Sequence, residues 1–272
     1  MIIITVSKQL PRMRALSDQS QTTNPIIQRV VPPVIVALAI LIGWHLYVVH
    51  TQSIVIPSPR SVGSALRRTT LELLSVDLPQ TLSRMFWGFS IGVLAGTMLG
   101  VAISVNKYIY SGMSPFMEFF RSLPATALFP FFLNFFGEND ASHIATAVYI
   151  ALWITAFNIS QAMRRIATKR KNYLGVIGAK WPFMLKHLYL YELLPALLDS
   201  CRIALSLTLL VTVAIEMIVG AKNGVGMNIF NAHYLTDYSG MTAAIIIVGF
   251  IGLALNKGAE ILQARVIYWR DE

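Results

Sequence analysis

Six blocks of predominantly apolar residues, 15 to 24 residues long, divide this chain, and no other feature limits its folding as strongly. A helix needs about 20 such residues to cross roughly 30 Å of hydrocarbon. Lipid offers no partner to a bare peptide group, so a spanning segment must satisfy its own backbone, and a helix does. The blocks run over about 34–49, 82–105, 114–136, 143–163, 203–219 and 241–255. Charged residues make up only 13% of the chain, against roughly 25% in an ordinary soluble domain. The fold class expected is an all-α membrane protein, with about six transmembrane helices in one bundle.

Individual spans carry local marks. Pro32 and Pro33 stand where the first span should begin, a position that tolerates proline because first-turn N–H groups have no helical partner. In the second, Gly88, Gly92, Gly96 and Gly100 recur every fourth residue and fall on roughly one helix face, which lets a neighbour approach closely. The third is broken by Pro124 and Pro130; the carbonyls they free need a neighbouring helix or a water-lined cavity. An even number of spans puts both termini on one side, and lysine and arginine placement makes that side cytoplasmic. Under that orientation Arg164, Arg165, Lys169, Arg170, Lys171, Lys180 and Lys186 lie inside, whereas the outer face holds only Arg60, Arg67, Arg68 and Lys222.

Residues 1–32 then form a cytoplasmic N-terminal segment, 33–258 the transmembrane domain and 259–272 a cytoplasmic tail. Met1 to Asn24 has no positive start followed by an apolar core and small-residue cleavage site, so a retained first span is expected. Two connections exceed a turn. In 51–81, Val62, Leu66 and Leu73 suggest a short amphipathic helix at the outer interface. The other, 167–200, is basic at its start and then mixes aromatic, proline and leucine residues, as two short amphipathic helices on the cytoplasmic surface would.

The net charge of +9 in a soluble chain would raise nucleic acid; here the basic residues border apolar blocks, so lipid is the expected partner and nucleic acid is not. Direct chemistry lacks a constellation. No Walker-type phosphate loop or GxSxG elbow is present, and the five histidines form no i, i+4 metal pair. The single cysteine, Cys201, sits in an apolar run and reads as a packing residue. No cofactor or metal site is therefore expected on this chain, nor catalytic residues. The ionisable residues inside or at the edge of spans are Arg84, Glu118, Arg121, Arg202 and Glu216, and such residues usually face a bundle interior, a cavity or a partner charge. Glu118 and Arg121, at i, i+3, suit either a local pair or a gate. Glu216, one turn from its span's outer end with only Lys222 near it in sequence, suits an outer gate or an interhelical hydrogen bond.

Several motifs fall in a recognisable order. IPSP at Ile56 to Pro59 is followed by TLSRMFWGF at Thr81 to Phe89, RSLPATALFP at Arg121 to Pro130 and NFFGE at Asn134 to Glu138. Gly178 and Ala179, Pro195, Arg202, the Glu216–Met217–Ile218 triplet, and Gly224 with Gly226 complete the series. Together they resemble the permease subunits of ABC importers, particularly the nitrate, sulfonate, taurine and bicarbonate branch: LPSP, SLxRxxxGF, RxIPxxAxxP, WFGxG, the EAA loop with its glycine, EMI and GxG. The match departs at the EAA positions, which are Asn172, Tyr173 and Leu174, and the LP pair is Leu190 and Tyr191.

That resemblance implies a binding-protein-dependent importer in the bacterial inner membrane, working by alternating access. In the family the 167–200 loop forms coupling helices gripped by an ATPase, so Tyr173, Leu174, Gly178, Ala179, Lys180 and Pro195 become candidate coupling residues. Arg121, Pro124, Pro130, Arg202, Glu216 and Met217 become candidates for the translocation path or gate. Implied partners are ABC ATPase subunits that hold ATP and Mg, a second copy of the permease as a homodimer, and a periplasmic solute-binding protein; the implied substrate is a small anion. The alternative class is a non-transporting membrane scaffold or assembly subunit that binds another cytoplasmic partner through the divergent loop. An intramembrane enzyme would need a second polar constellation inside the spans, and none is legible.

Overall fold

The computed structural model describes residues 25–166, 176, 178, 183, 189–219 and 221–267. Those residues are nearly all helical and contain no strand. Five helices are long and apolar enough to cross a membrane, and a bent pair brings the number to six if counted as one span. The chain divides into two compact units, 1–61 and 62–272.

In the first unit, α1 (Pro25–Thr51) is continuous through Pro32 and Pro33. The prolines are thus inside the helix, not at its entry. The carbonyls they release, four residues back, belong to Gln28 and Arg29 at the polar end of the helix, where an aqueous interface can serve them. The apolar face from Val34 to Val49 is exposed, as a lipid-facing span requires.

Most of α2 (Pro59–Glu72) belongs to the second unit, where Val62 and Ala65 are buried on one face and Arg67 and Arg68 are exposed on the other. This is the amphipathic helix expected there, and a π-helical turn (Leu73–Asp77) joins it to α3 (Leu78–Ser104). Helix α6 (Asp140–Arg165) shares its longest interface with α3, and α7 (Leu190–Val219) packs on both. Helices α8 (Val225–Tyr234) and α9 (Tyr238–Val266) close the other side of α7.

The α3–α6 contact is set by the four glycines. A Cβ on Gly92 would lie 2.5 Å from Ala151 Cβ and 2.7 Å from Val148 O, and one on Gly96 would lie 2.5 Å from Leu152 O. Only glycine lets the backbones meet this closely, with Ala147, Ala151 and Ala156 as the small facing residues.

The third span differs from a straight crossing. Helix α4 (Lys107–Ser122) ends before Pro124, and a 3₁₀ turn (Ala125–Leu128) leads into α5 (Phe129–Phe136), the two halves bent by 88°. Pro124 has no N–H for the carbonyl of Phe120, and the Tyr149 hydroxyl of α6 donates to that carbonyl at 2.6 Å. A neighbouring helix thus supplies the missing partner, as the prolines require.

Two other boundaries move. Helix α7 begins at Leu190, so Tyr191 and Pro195, expected in the 167–200 loop, are helical. Helix α9 continues to Val266, past the expected start of the tail at 259. In both cases a membrane helix runs beyond its hydrocarbon-crossing core into polar residues that still satisfy the helical backbone.

Candidate functional site

Charge is buried where α3, α6, α7 and α8 meet, at the end of the bundle away from the 167–188 connection. Thr81 and Arg84 are one turn apart on α3 and therefore share a face. Glu216 lies near the end of α7, fully buried, and the Arg84 side chain is 4% exposed. Arg84 Nη1 donates to Glu216 Oε1 at 2.7 Å and to the carbonyl of Asn223 at 2.8 Å. The Thr81 hydroxyl donates to the same carboxylate, at 2.9 and 3.0 Å from its two oxygens, and accepts from Val225 N at 2.9 Å. Gly226 N donates to Glu216 Oε2 at 3.0 Å.

This cluster builds the start of α8. Gly224 N donates to Asp77 Oδ1 at 3.0 Å, so three successive N–H groups at that end are taken by Asp77, Thr81 and Glu216. A helix N-terminus favours such acceptors because its first N–H groups have no internal partner. Gly224 has φ +148°, where L side chains strain, and a Cβ there would lie 2.6 Å from the Glu216 carboxylate carbon. Gly226 is pressed against Val213 O and Glu216 Cβ. The Gly-x-Gly pattern thus reflects close backbone approach to Glu216.

Arg84 turns its other edge outward. Its Nε and Nη2 donate to Asp140 Oδ1 at 2.8 and 2.7 Å, and Gln80 Nε2 donates to Asp140 Oδ2 at 2.7 Å. Asp140 is half exposed, on the wall of a cavity of about 410 Å³ that Arg84, Glu138, Lys222 and Asn223 also line. Arg84 therefore clamps two carboxylates, one dry and one wet.

At the opposite end residues of α6 and α7 line a second cavity of about 550 Å³, Asn158, Gln161, Arg165, Glu192, Pro195 and Asp199 among them. Pro195 thus sits where the connection enters α7. Gly178 has φ +69°, and a Cβ there would meet nothing within 4 Å. Tyr173, Leu174, Ala179 and Lys180 lie outside the described residues.

The other path candidates are dispersed. Arg121 stacks over the Phe157 ring at 4.2 Å and makes no ion pair with Glu118; Pro124 and Pro130 are exposed at the bend. Arg202 faces Glu260 of α9 at 3.6 Å, exposed on both sides, and Met217 packs on the α3–α7–α8 core. Of the residues expected at the path or gate, only Glu216 belongs to the buried cluster, with Met217 beside it. The sequence alone assigns no site role to Asp77, Gln80, Thr81 or Asp140. The signal available for Thr81 was its place in the motif that carries Arg84.

The family described as "Binding-protein-dependent transport system inner membrane component" matches residues 88–268. The chain is 26% identical to the bicarbonate transport system permease protein CmpB of Synechococcus elongatus, over 69% of this chain and 67% of that one. It is 27% identical to the nitrate import permease protein NrtB of Synechocystis, over 71% and 70%, and 27% identical to the putative aliphatic sulfonates transport permease protein SsuC of Bacillus subtilis, over 88% and 86%. Among solved structures, a chain of the inward-facing MetNI methionine ABC transporter superposes with a TM-score of 0.63 at 21% identity, covering 72% of this chain and 97% of that one. That last likeness shows the fold.

Proposed function

This chain belongs to the binding-protein-dependent transport system inner membrane component family, and on that premise we propose that it is the permease subunit of an ABC importer for a small oxyanion such as bicarbonate, nitrate or a sulfonate. Two copies enclose the translocation path, with both termini and the 167–188 connection in the cytoplasm of a bacterial cell. ATP and Mg are held by separate ATPase subunits that grip this connection. A solute-binding protein delivers the substrate to the outer face, near Thr51 to Thr81 and Lys222 to Ser239.

The observation that carries this reading is the contrast between the two ends of the α6–α7 pair. At the outer end Arg84 and Glu216 tie α3 to α7 by a buried ion pair; at the other end α6 and α7 line the 550 Å³ cavity next to the connection and meet through the apolar contacts of Met163, Ile166, Tyr189 and Leu193. ATP shifts the membrane subunit only by stabilising one conformation more than another. A bias entering at the connection reaches α6 and α7 directly, beside this cavity. Arg121, Pro124 and Pro130 are exposed at the bend of the third span, and this is the surface assigned to the path and the second copy.

Reconstitution in liposomes with ABC ATPase subunits tests the assignment. Stimulated ATP hydrolysis and uptake of labelled bicarbonate, nitrate or sulfonate are expected, and Gly178→Val should abolish stimulation while leaving membrane insertion intact. A chain that never engages an ATPase sinks the transport reading and leaves the scaffold reading, which the departures at Asn172, Tyr173 and Leu174 favour.

A further inference from the structure

Asp140 sits in the structure as a ligand would. Its carboxylate receives three N–H donors from α3: Nε and Nη2 of Arg84 on Oδ1, and Nε2 of Gln80 on Oδ2, all at 2.7 to 2.8 Å. The Arg84 side chain is 4% exposed and is held from behind by Glu216, so this donor edge is fixed in place before anything binds to it. Asp140 itself is 50% exposed at the wall of the 410 Å³ cavity, with water at hand to receive it if it turns away.

We propose that the Arg84–Gln80 edge is a binding site for a planar monoanionic oxyanion, with Asp140 as its internal, exchangeable occupant. The donors suit two oxygens on one flat centre, the pattern shared by a carboxylate, bicarbonate and nitrate. A guanidinium edge recognises that shape better than a spherical ion does. Charge supports exchange over addition. The charged groups facing the site are Arg84 and Lys222, positive, and Glu138 and Asp140, negative, with His143 also on the wall and Glu216 behind Arg84. With these charges already balanced, an external anion gains from the guanidinium edge only where Asp140 has turned toward water, and the Asp140 charge that stays nearby keeps binding weak in the intact protein. The first turn of α6 borders the cavity, and its N-terminal field favours negative charge there. Space is ample, since a liquid water occupies only about 30 Å³.

The proposal rests on the transport reading for its physiological meaning: it gives the anion a place on this chain at the outer end of the bundle. An internal carboxylate competes at high effective concentration. The intact protein therefore binds weakly, and removing the competitor strengthens binding.

The full chain, purified in detergent micelles without an ATPase, is titrated in separate runs with sodium bicarbonate, nitrate, acetate or chloride over the same range of ionic strength, and its thermal midpoint is read. Asp140→Ala should show a saturable rise with each planar anion, at an apparent affinity at least about tenfold tighter than wild type. Adding Gln80→Ala to that variant should weaken the affinity several-fold. If Asp140→Ala folds only when nitrate or bicarbonate is present, the anion is standing in for the lost carboxylate, which also supports the site. Should Asp140→Ala not fold under any condition, Asp140→Asn takes its place and must still bind more tightly than wild type. The proposal is overturned by a rise that chloride reproduces, by no planar-anion effect in the variant that folds, or by an unchanged affinity on loss of Gln80. Because no ATPase is present, these outcomes are separate from failure of the reconstitution experiment.

Discussion

Replacing Glu216 by glutamine keeps the shape of the side chain and makes its chemistry wrong. Every group touching the carboxylate is a donor: Arg84 Nη1, the Gly226 N–H and the Thr81 hydroxyl, whose oxygen already accepts from Val225 N. A carboxylate accepts on both oxygens, whereas an amide offers one acceptor and one donor group. Either orientation of the amide sets its NH₂ against Arg84 or against Gly226. A stranded buried donor costs about 1–3 kcal/mol, and breaking a buried ion pair from one side costs about 3–5 kcal/mol. Because these overlap, about 3–5 kcal/mol is expected, a factor of roughly 10²–10⁴ in the folding equilibrium. Asp140→Asn breaks the other arm of the same arginine, but that carboxylate is half in water, so about 0–1 kcal/mol is expected. Equilibrium unfolding in micelles, followed by tryptophan fluorescence, measures both. Arg84→Met combined with Glu216→Gln should cost at least about 1 kcal/mol less than the sum of the single changes, as contacting residues do. Equal costs for the two arms, or strict additivity of Arg84 and Glu216, would refute the division into a dry and a wet arm.

Gly92→Ala places a methyl 2.5 Å from Ala151 Cβ and 2.7 Å from Val148 O, so α3 and α6 must part at a cost of about 1–3 kcal/mol; Gly249→Ala, with nothing within 4 Å, should be neutral or stabilising in the same unfolding assay. Tyr149→Phe keeps the ring and strands the Phe120 carbonyl, a loss of about 1–3 kcal/mol that should speed amide exchange around Ser122–Leu128 and leave α9 unaffected. Gly224→Ala drives a methyl toward the Glu216 carboxylate at a backbone angle alanine resists; it should destabilise at least as much as Glu216→Gln and faster exchange at the start of α8 should accompany it.

Periodicity and length were enough to recover the membrane helices because lipid imposes one rule on every spanning segment. The same rule explains what local pattern could anticipate: freed carbonyls at Pro124 found a neighbouring hydroxyl, and the glycines found a close helix. Where a helix ends is less legible, because polar residues continue a helix beyond the hydrocarbon without marking the change. Leu190 to Ser200 therefore reads as loop and folds as the first turns of α7.

The partner of Glu216 was hidden for a different reason. Arg84 stands 132 residues earlier, and nothing in either neighbourhood encodes their meeting. What the sequence did offer was an energetic demand, since a charge one turn inside an apolar span must be answered by an opposite charge or by water. Lys222 was the near candidate in sequence, yet it lines the cavity while Arg84, on a helix packed against α7, reaches the carboxylate from within. Of the five ionisable residues at span edges, Arg84 and Glu216 alone fall at outer ends, and matching them finds the clamp without coordinates. The Asp140 arm needed them, because a half-exposed aspartate at the first position of a helix has a sufficient local explanation in the helix dipole and shows its second role only when the arginine edge beneath it is seen.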